Sequence, residues 1–289
     1  MEILIRIDWI SVTDKKPITP QPSAHPSLMD KNWQECAGKN GYNVGQKHVT
    51  GVREYRNYSR VDMGRHTVYS SKALDRIKQM INISGTDVLI HHINEGHTVA
   101  RLDLAIDFIG YATPVGQFVD AYLNGEVTTK LRTASVVKSL TNGGETLYLG
   151  SLKKRKNLIR VYNKGAEQGV DIDWIRVELQ IMGKKATSTG KEICKSENIK
   201  ETIIGIIKNI VDFKTVAIWK ELTSLTQDVQ MSSIPKSQGD TEAWLMNQVI
   251  PALGRTVVLN IEFWIQFKLN LSERIGEKEW NKIEEYEEF

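Results

Sequence analysis

The stretch that decides the fold is RLDLAIDFI, residues Arg101–Ile109, in which polar and apolar side chains alternate. The two sets, taken by alternate position, are Arg101, Asp103 and Asp107 on one side and Leu102, Leu104, Ile106 and Phe108 on the other. Successive side chains of a β-strand point to opposite faces of its sheet. The pattern therefore predicts a strand with an apolar face for a core and a charged face for another purpose.

Three further segments repeat this alternation: Ile3–Ser11, Asn157–Lys164 and Trp174–Ile181. The polar sets of the last two are Arg160, Tyr162 and Lys164, and Arg176, Glu178 and Gln180. A sheet face that carries so many polar groups costs free energy unless it is solvated or binds a charged ligand. We therefore expect the functional site on this face.

The periodicity changes after Ile181. Apolar residues recur at helical spacing over Glu197–Phe213 and Asp240–Leu259, and a charged helix is expected over Ser272–Tyr286. Strands first and helices last predict an α+β fold, with an antiparallel-rich central sheet whose charged face is catalytic and a helical carboxy-terminal part. The expected division is a catalytic domain over residues 1–195 and a helical region over residues 196–289.

Two local patterns lie in the first hundred residues. Asp30–Ala37 is expected to contain a short helix, and Asp87–Asn94 is expected to be a strand. Adjacent side chains of a strand point to opposite faces, so His91 and His92 do not predict a metal site together with His97.

The chain of 289 residues has a net charge of only +3, but its charges are unevenly distributed. Basic residues crowd Lys153–Lys164, whereas the tail after Ser272 is acidic, and this asymmetry indicates a local site for a polyanion. The two cysteines, Cys36 and Cys194, lack metal-ligand spacing, which favours a reducing, cytoplasmic setting. No apolar stretch reaches the roughly 18–20 residues of a membrane span, so we expect a soluble protein without a membrane partner.

Tyr162 and the carboxylates of Asp103, Asp107 and Glu178 form a chemically distinctive set. Carboxylates on neighbouring strands offer the hard oxygen ligands that Mg²⁺ or Mn²⁺ prefers, and a cation or base can activate a tyrosine hydroxyl as a nucleophile. The set suits transesterification of a phosphodiester, with tyrosine attacking phosphorus. The residue pattern leaves plainer interpretations open: a tyrosine that only packs, and acids that form ion pairs with neighbouring arginines on a solvated face.

The chain resembles the replication initiation factor family, the rolling-circle initiators of plasmids and filamentous phages, which are related to a class of conjugative relaxases. The resemblance rests on collinear stretches that span most of the chain: IDWISVT (Ile7–Thr13), RLDLAIDF (Arg101–Phe108), TLYLGS (Thr146–Ser151), LIRVYNKG (Leu158–Gly165), WIRVELQI (Trp174–Ile181) and AWLMNQVIPAL (Ala243–Leu253). The second, fourth and fifth of these are specific when taken together, whereas any one alone is not.

The resemblance implies both a site and a reaction. Tyr162 would be the nicking nucleophile, and Asp103, Asp107 and Glu178 would hold a divalent cation, Mg²⁺ or Mn²⁺. The nick would leave a 5′-phosphotyrosyl link and a free 3′-hydroxyl that primes synthesis, and a reverse transfer would rejoin the strand. The basic residues expected to contact DNA are Arg101, Lys153, Lys154, Arg155, Lys156, Arg160, Lys164 and Arg176.

The expected partner is an origin that is single-stranded or extrudes a hairpin. A host helicase or polymerase and a second copy of the chain are further candidate partners. Three alternatives stay open at this point: a metal-dependent nuclease that uses water while Tyr162 is structural, a non-catalytic DNA-binding or recombination-accessory protein, and a conjugative relaxase.

Overall fold

The computed structural model describes residues 1–16, 22–30, 32–139, 144–153, 156–224, 253 and 260–275. The chain divides into two compact units, Met1–Ser233 and Ile234–Phe289. The first unit holds all the strands described below. The functional division expected after residue 195 stays a prediction.

Ten strands of the described residues form one sheet. Their bounds are β1 (Glu2–Asp14), β2 (Trp33–Ala37), β3 (Val44–His48), β4 (Arg53–Arg56), β5 (Arg65–Tyr69), β6 (Thr98–Ile109), β8 (Ala134–Lys138), β9 (Glu145–Leu149), β10 (Asn157–Asn163) and β11 (Trp174–Met182), while β7 (Val127–Thr129) pairs separately with β12 (Val211–Phe213). Their order across the sheet is β2-β3-β4-β5-β1-β6-β11-β10-β9-β8, and every neighbouring pair is antiparallel. Strands and helices in one chain, with an antiparallel central sheet, confirm the predicted α+β class.

The helices of the described residues are α1 (Ser71–Ile81), α2 (Gly85–Asn94), α3 (Val115–Leu123), α4 (Lys164–Gln168), α5 (Lys184–Lys195), α6 (Ile199–Ile210), α7 (Ala217–Ser224) and α8 (Ile261–Ile275), with 3₁₀ turns at Pro26–Leu28 and Val61–Met63. Helices α2 and α6 pack against β1 and β6, and α5 packs against β6 and β11. The core includes Leu104 of β6 and Ile207 of α6, both fully buried. None of the described helices is long and apolar enough to cross a membrane.

Close packing of α5 on α2 depends on a glycine. A Cβ at Gly190 of α5 would lie 3.2 Å from the Leu89 side chain of α2. The Thr187 hydroxyl, one turn earlier, accepts from the Val99 backbone N–H at 3.0 Å and tethers α5 to β6. The helices therefore cover the apolar face of the sheet, and the charged face is the candidate for the functional site.

The expectation of a strand over Asp87–Asn94 is wrong, because this segment is helix α2. Ser84 and Asp87 form a capping box, a helix-start signal that outweighs the short apolar run. His92 therefore lies on a helix, where its ring is buried, and its Nδ1 lies 2.8 Å from Nδ1 of His97. The argument from strand geometry about these histidines does not apply.

The expected helix within Asp30–Ala37 is also wrong, because Trp33–Ala37 is the edge strand β2, which pairs with β3. Antiparallel pairing with β3, the next strand along the chain, makes this segment a strand. The expected helix over Asp240–Leu259 lies, apart from Leu253, outside the described residues, as does most of Ala243–Leu253. The last described helix begins at Ile261, earlier than the expected start at Ser272.

Candidate active site

Strands β10, β11 and β6 lie side by side, and their register brings the predicted polar residues onto one face. Tyr162 lies opposite Arg176, which lies opposite Asp107. One rung along, Arg160 lies opposite Glu178. Directly opposed residues of antiparallel strands point to the same side of the sheet, so the charged face is continuous across these three strands.

Tyr162 and Glu178 are in direct contact. The Tyr162 hydroxyl donates to Oε2 of Glu178 at 3.1 Å. Burial raises the pKa of Tyr162, the neighbouring Glu178 charge raises it further, and Arg176 acts in the opposite direction. The phenol is therefore protonated at neutral pH and has a carboxylate oxygen placed to accept its proton.

Glu178 and Asp103 form a buried pair of acids. Arg160 Nη2 donates to Oε1 of Glu178 and lies 3.5 Å from Oδ2 of Asp103. Arg101 holds Asp103 from the other side through two hydrogen bonds, with Nε 2.8 Å from Oδ1. Both acids are almost fully buried.

Burial is the largest cause that raises the pKa of Glu178, to about 7, with the nearby Asp103 charge raising it further and Arg160 opposing the shift. Burial likewise raises the pKa of Asp103, although Arg101 and Arg160 lower it. Arg160 bridges the two carboxyls, because its Nη2 contacts both. A pair of this kind retains a proton near neutral pH because two adjacent buried carboxylates repel each other.

Asp107 belongs to a second cluster. Arg176 binds both of its oxygens, with Nε 2.6 Å from Oδ1 and Nη2 2.7 Å from Oδ2, and Trp174 Nε1 donates to Oδ1 at 2.8 Å. The structure thus brings together two of the three predicted acids, Asp103 and Glu178. No group of three or more His, Cys, Asp or Glu side chains within the described ranges is arranged to hold a metal ion.

Asp8 is a member of the second cluster that the alternation pattern did not reveal. Arg176 Nη1 donates to its Oδ1 at 2.7 Å, and the Ser71 hydroxyl donates to the same oxygen at 2.8 Å. The register of β1 against β6 shifts between Ile7 and Trp9. This irregularity inserts Asp8 between a core residue and a polar-face residue, so counting alternate positions misplaces it.

The predicted DNA-contact residues occupy three environments. Arg101, Arg160 and Arg176 are bound to the acids described above, and Arg176 is only 1% exposed. Lys164 is buried, binds Glu167 and lies 5.8 Å from the centre of the Tyr162 ring. Exposed positions in the loop between β9 and β10 are Lys153 and Lys156, while Lys154 and Arg155 lie outside the described residues. Contact with DNA stays a prediction for all eight.

Comparison with known proteins agrees with this architecture. The family model described as replication initiation factor matches residues 97–266, more than half of the chain. The chain therefore belongs to the replication initiation factor family. The matched range includes β6, β10 and β11 and hence Tyr162 and the three predicted acids.

A solved structure described as the rolling circle replication initiator protein from Geobacillus stearothermophilus is similar to this chain with a TM-score of 0.67 and 20% sequence identity. The similarity covers 80% of this chain and 99% of that one. At this identity it establishes the fold that the two chains share. No curated protein matches the sequence.

Proposed function

We propose that this protein nicks one strand of DNA at a replication origin by transesterification, with Tyr162 as the nucleophile. The observation that carries the proposal is the 3.1 Å hydrogen bond from the Tyr162 hydroxyl to Glu178 Oε2, on a sheet face that also holds Asp103 and Arg160. A nucleophile within hydrogen-bond reach of a base, which is itself oriented by a third group, is the general arrangement of covalent catalysis. Membership of the replication initiation factor family supports DNA as the substrate.

In the proposed step, Oη of Tyr162 forms a bond to phosphorus and its proton passes to Oε2 of Glu178. The bond from phosphorus to the 3′-oxygen breaks, and that oxygen takes a proton from solvent to become a 3′-hydroxyl primer. The phosphotyrosyl link conserves the energy of the phosphodiester. The same step in reverse rejoins the strand after a round of synthesis.

Glu178 suits the role of base. Its pKa of about 7 keeps a substantial ionised fraction near neutral pH while still favouring proton uptake. Its two oxygens have different partners, because Oε2 faces Tyr162 whereas Oε1 faces Arg160. Arg160, held beside both acids, is placed to offset negative charge that builds on the phosphoryl oxygens.

Asp103 and Glu178 fit a divalent cation. They are two almost fully buried carboxyls on neighbouring strands, which offer the hard oxygen ligands that such a cation prefers. A bound Mg²⁺ or Mn²⁺ would supply positive charge to the scissile phosphate. Asp107 fits less well, because Arg176 holds both of its oxygens.

The proposed substrate is an origin segment that is single-stranded or forms a hairpin. Exposed Lys153 and Lys156 lie in the loop that leads into β10, the strand of Tyr162. Cations at that position suit contact with phosphates on the strand to be cut. The site-specific nick, its reversal and the priming hydroxyl together constitute initiation of rolling-circle replication.

The test uses labelled single-stranded oligonucleotides tiled across the replicon that encodes the protein, incubated with the full chain and Mg²⁺ or Mn²⁺. A denaturing gel should show a covalent protein–DNA band with the wild type and none with Tyr162→Phe. Tyr148→Phe is the matched control, because Tyr148 lies opposite Arg160 on the next strand, β9, of the same face. Normal cutting by Tyr162→Phe would show that Tyr162 is not the nucleophile, and cutting by the wild type without an adduct would show that water is.

A further inference from the structure

The polar face does not end at β6. One rung of the sheet runs from Arg101 of β6 through Ser11, Val68 and Arg53 to Lys47 of β3, each residue opposite the next. All five therefore share a face with Asp103, two positions along β6 from Arg101. The rung spans four strand spacings, or about 19 Å.

This half of the face is basic and exposed. A cavity lies here between the sheet and α1. The four exposed cations that line it are Lys47 of β3, Arg53 of β4, and Lys72 and Arg76 of α1. None of the four pairs with a carboxylate within the part of the chain that the structure describes. Exposed cations held together without counter-charges repel one another, and a polyanion would relieve that repulsion.

Two cavities flank Trp9 of β1. One, of about 190 Å³, lies toward α1, and the other, of about 340 Å³, extends toward Arg101 and the exposed Lys39. Both far exceed the roughly 10–15 Å³ that admits one water molecule. None of the described residues that line either cavity is an aspartate or a glutamate.

Trp9 distinguishes among polyanions. Its ring is half-buried, and the Arg101 guanidinium lies 4.4 Å from the ring centre. Tyr55 and His66 line the larger of the two cavities. A basic groove with aromatic rings suits single-stranded nucleic acid, whose unpaired bases stack on aromatic faces while the backbone follows the cations. A duplex keeps its bases stacked inside and would use only the cations.

We propose that the groove formed by Trp9, Lys47, Arg53, Lys72 and Arg76 is a binding track for single-stranded DNA. The track leads the strand across β3, β4, β5 and β1 toward the acids of the active site. It rests on the proposed function, because it extends the strand that Tyr162 would cut. Sequence-independent contacts of this kind hold a strand in place without reading its bases.

The experiment measures fluorescence anisotropy of a labelled 20-nucleotide thymidine strand with the full chain, at several salt concentrations and without divalent metal. Lys47→Ala/Arg53→Ala should weaken binding roughly tenfold and reduce the slope of log affinity against log salt by about 1.4, at about 0.7 per lost contact. Lys191→Ala/Lys195→Ala is the matched control, because both lysines are exposed on α5, the helix that packs on the apolar face.

Trp9→Ala should weaken binding by roughly tenfold or more, and Trp9→Phe should retain most of it, since stacking needs only an aromatic face. The proposal is overturned if the lysine–arginine double variant binds the thymidine strand as well as its control. It is also overturned if Trp9→Ala weakens binding of a 20-base-pair duplex as much as it weakens binding of the single strand. It is equally overturned if the wild type does not bind the thymidine strand. The assay measures binding alone, so failure of the track can be distinguished from failure of Tyr162 to form an adduct.

Discussion

The two halves of the polar face differ in how their charges are neutralised. Around β6, β10 and β11 the cations are buried or half-buried and bound to acids: Arg101 to Asp103, Arg160 to Glu178 and Arg176 to Asp107. On β3, β4 and α1 the cations that line the cavity beside Trp9 are exposed, and no carboxylate among the described residues pairs with these four, Lys47, Arg53, Lys72 and Arg76. The same sheet therefore has one region where cations are paired with carboxylates and another where exposed cations have no carboxylate partner among the described residues.

The difference matches two physical requirements. Charge stabilisation in a reaction works best when dipoles and charges are preorganised, because no reorganisation is needed as the reaction proceeds. Binding of a nucleic-acid backbone works through release of counterions from exposed cations. An arginine held by buried acids, such as Arg160, contributes little to backbone binding through counterion release and much to preorganised charge stabilisation. We therefore assign chemistry to the half around Tyr162 and strand guidance to the half around Trp9.

Removing the charge of Glu178 is the strongest test of the assignment of chemistry to the half around Tyr162. Glu178→Gln keeps the shape and a hydrogen-bond acceptor for Tyr162 but loses the base, so the rate of adduct formation should fall by about 10²–10⁴-fold. Binding of the 20-nucleotide strand should be nearly unchanged. Glu221→Gln, at an exposed position of α7, is the control for the loss of one carboxylate. A variant that forms the adduct at the wild-type rate would remove Glu178 from the mechanism.

Substitution of Asp107 tests whether the cluster that Asp107 forms with Arg176 and Asp8 serves only to stabilise the fold. Asp107→Asn removes the charge that neutralises the buried Arg176, which should lower the free energy of unfolding by about 3–5 kcal/mol. Urea denaturation measures the change, with the exposed Asp120→Asn of α3 as the control. The nicking rate per folded molecule should change much less than with Glu178→Gln. A rate that collapses while stability is kept would mean that Asp107 acts in the reaction, in agreement with the metal-ligand role that the family resemblance implies.

The polar face itself could be predicted because a strand has a period of two and the charges in Arg101–Ile109, Asn157–Lys164 and Trp174–Ile181 follow it. The partners of each acid could not be predicted, since they depend on which rung faces which. A register that sets Asp107 opposite Arg176 removes Asp107 from the pair formed by Asp103 and Glu178. The residue types on each strand are read from one segment, whereas the contacts between acids on different strands depend on the register of the assembled sheet.

The basic groove around Trp9 could not be predicted from the sequence for a related reason. Lys47 and Arg53 lie on short strands in a region rich in loops, and their side chains join the polar face only through the strand order β3-β4-β5-β1. Asp8 was hidden by the register shift in β1. In both cases the deciding information is non-local pairing, which periodicity within one segment does not contain.

The buried acids also predict a pH dependence of stability. The pKa of Glu178 is raised above its ordinary value, to about 7, so the folded state binds this proton more tightly than the unfolded state. Its contribution to stability is therefore complete at low pH and is lost as the pH rises through about 7. In metal-free buffer the urea midpoint should fall from pH 5 to pH 8, and Glu178→Gln should flatten the fall. A midpoint that rises over this range with the wild type, and not with the variant, would reverse the assignment.

The smallest expected effect concerns the loop before β10, where Lys156 is exposed beside the catalytic half of the face. Lys156→Ala should weaken binding of the 20-nucleotide strand only a few-fold and reduce the salt slope by about 0.7. Exposed Lys200→Ala on α6 is the control. If the loop and the Trp9 half hold the same strand, the free-energy losses of Lys156→Ala and Lys47→Ala should add within about 0.5 kcal/mol, because distant contacts act independently. Losses that fail to add would show that the two halves compete for the strand and do not share it.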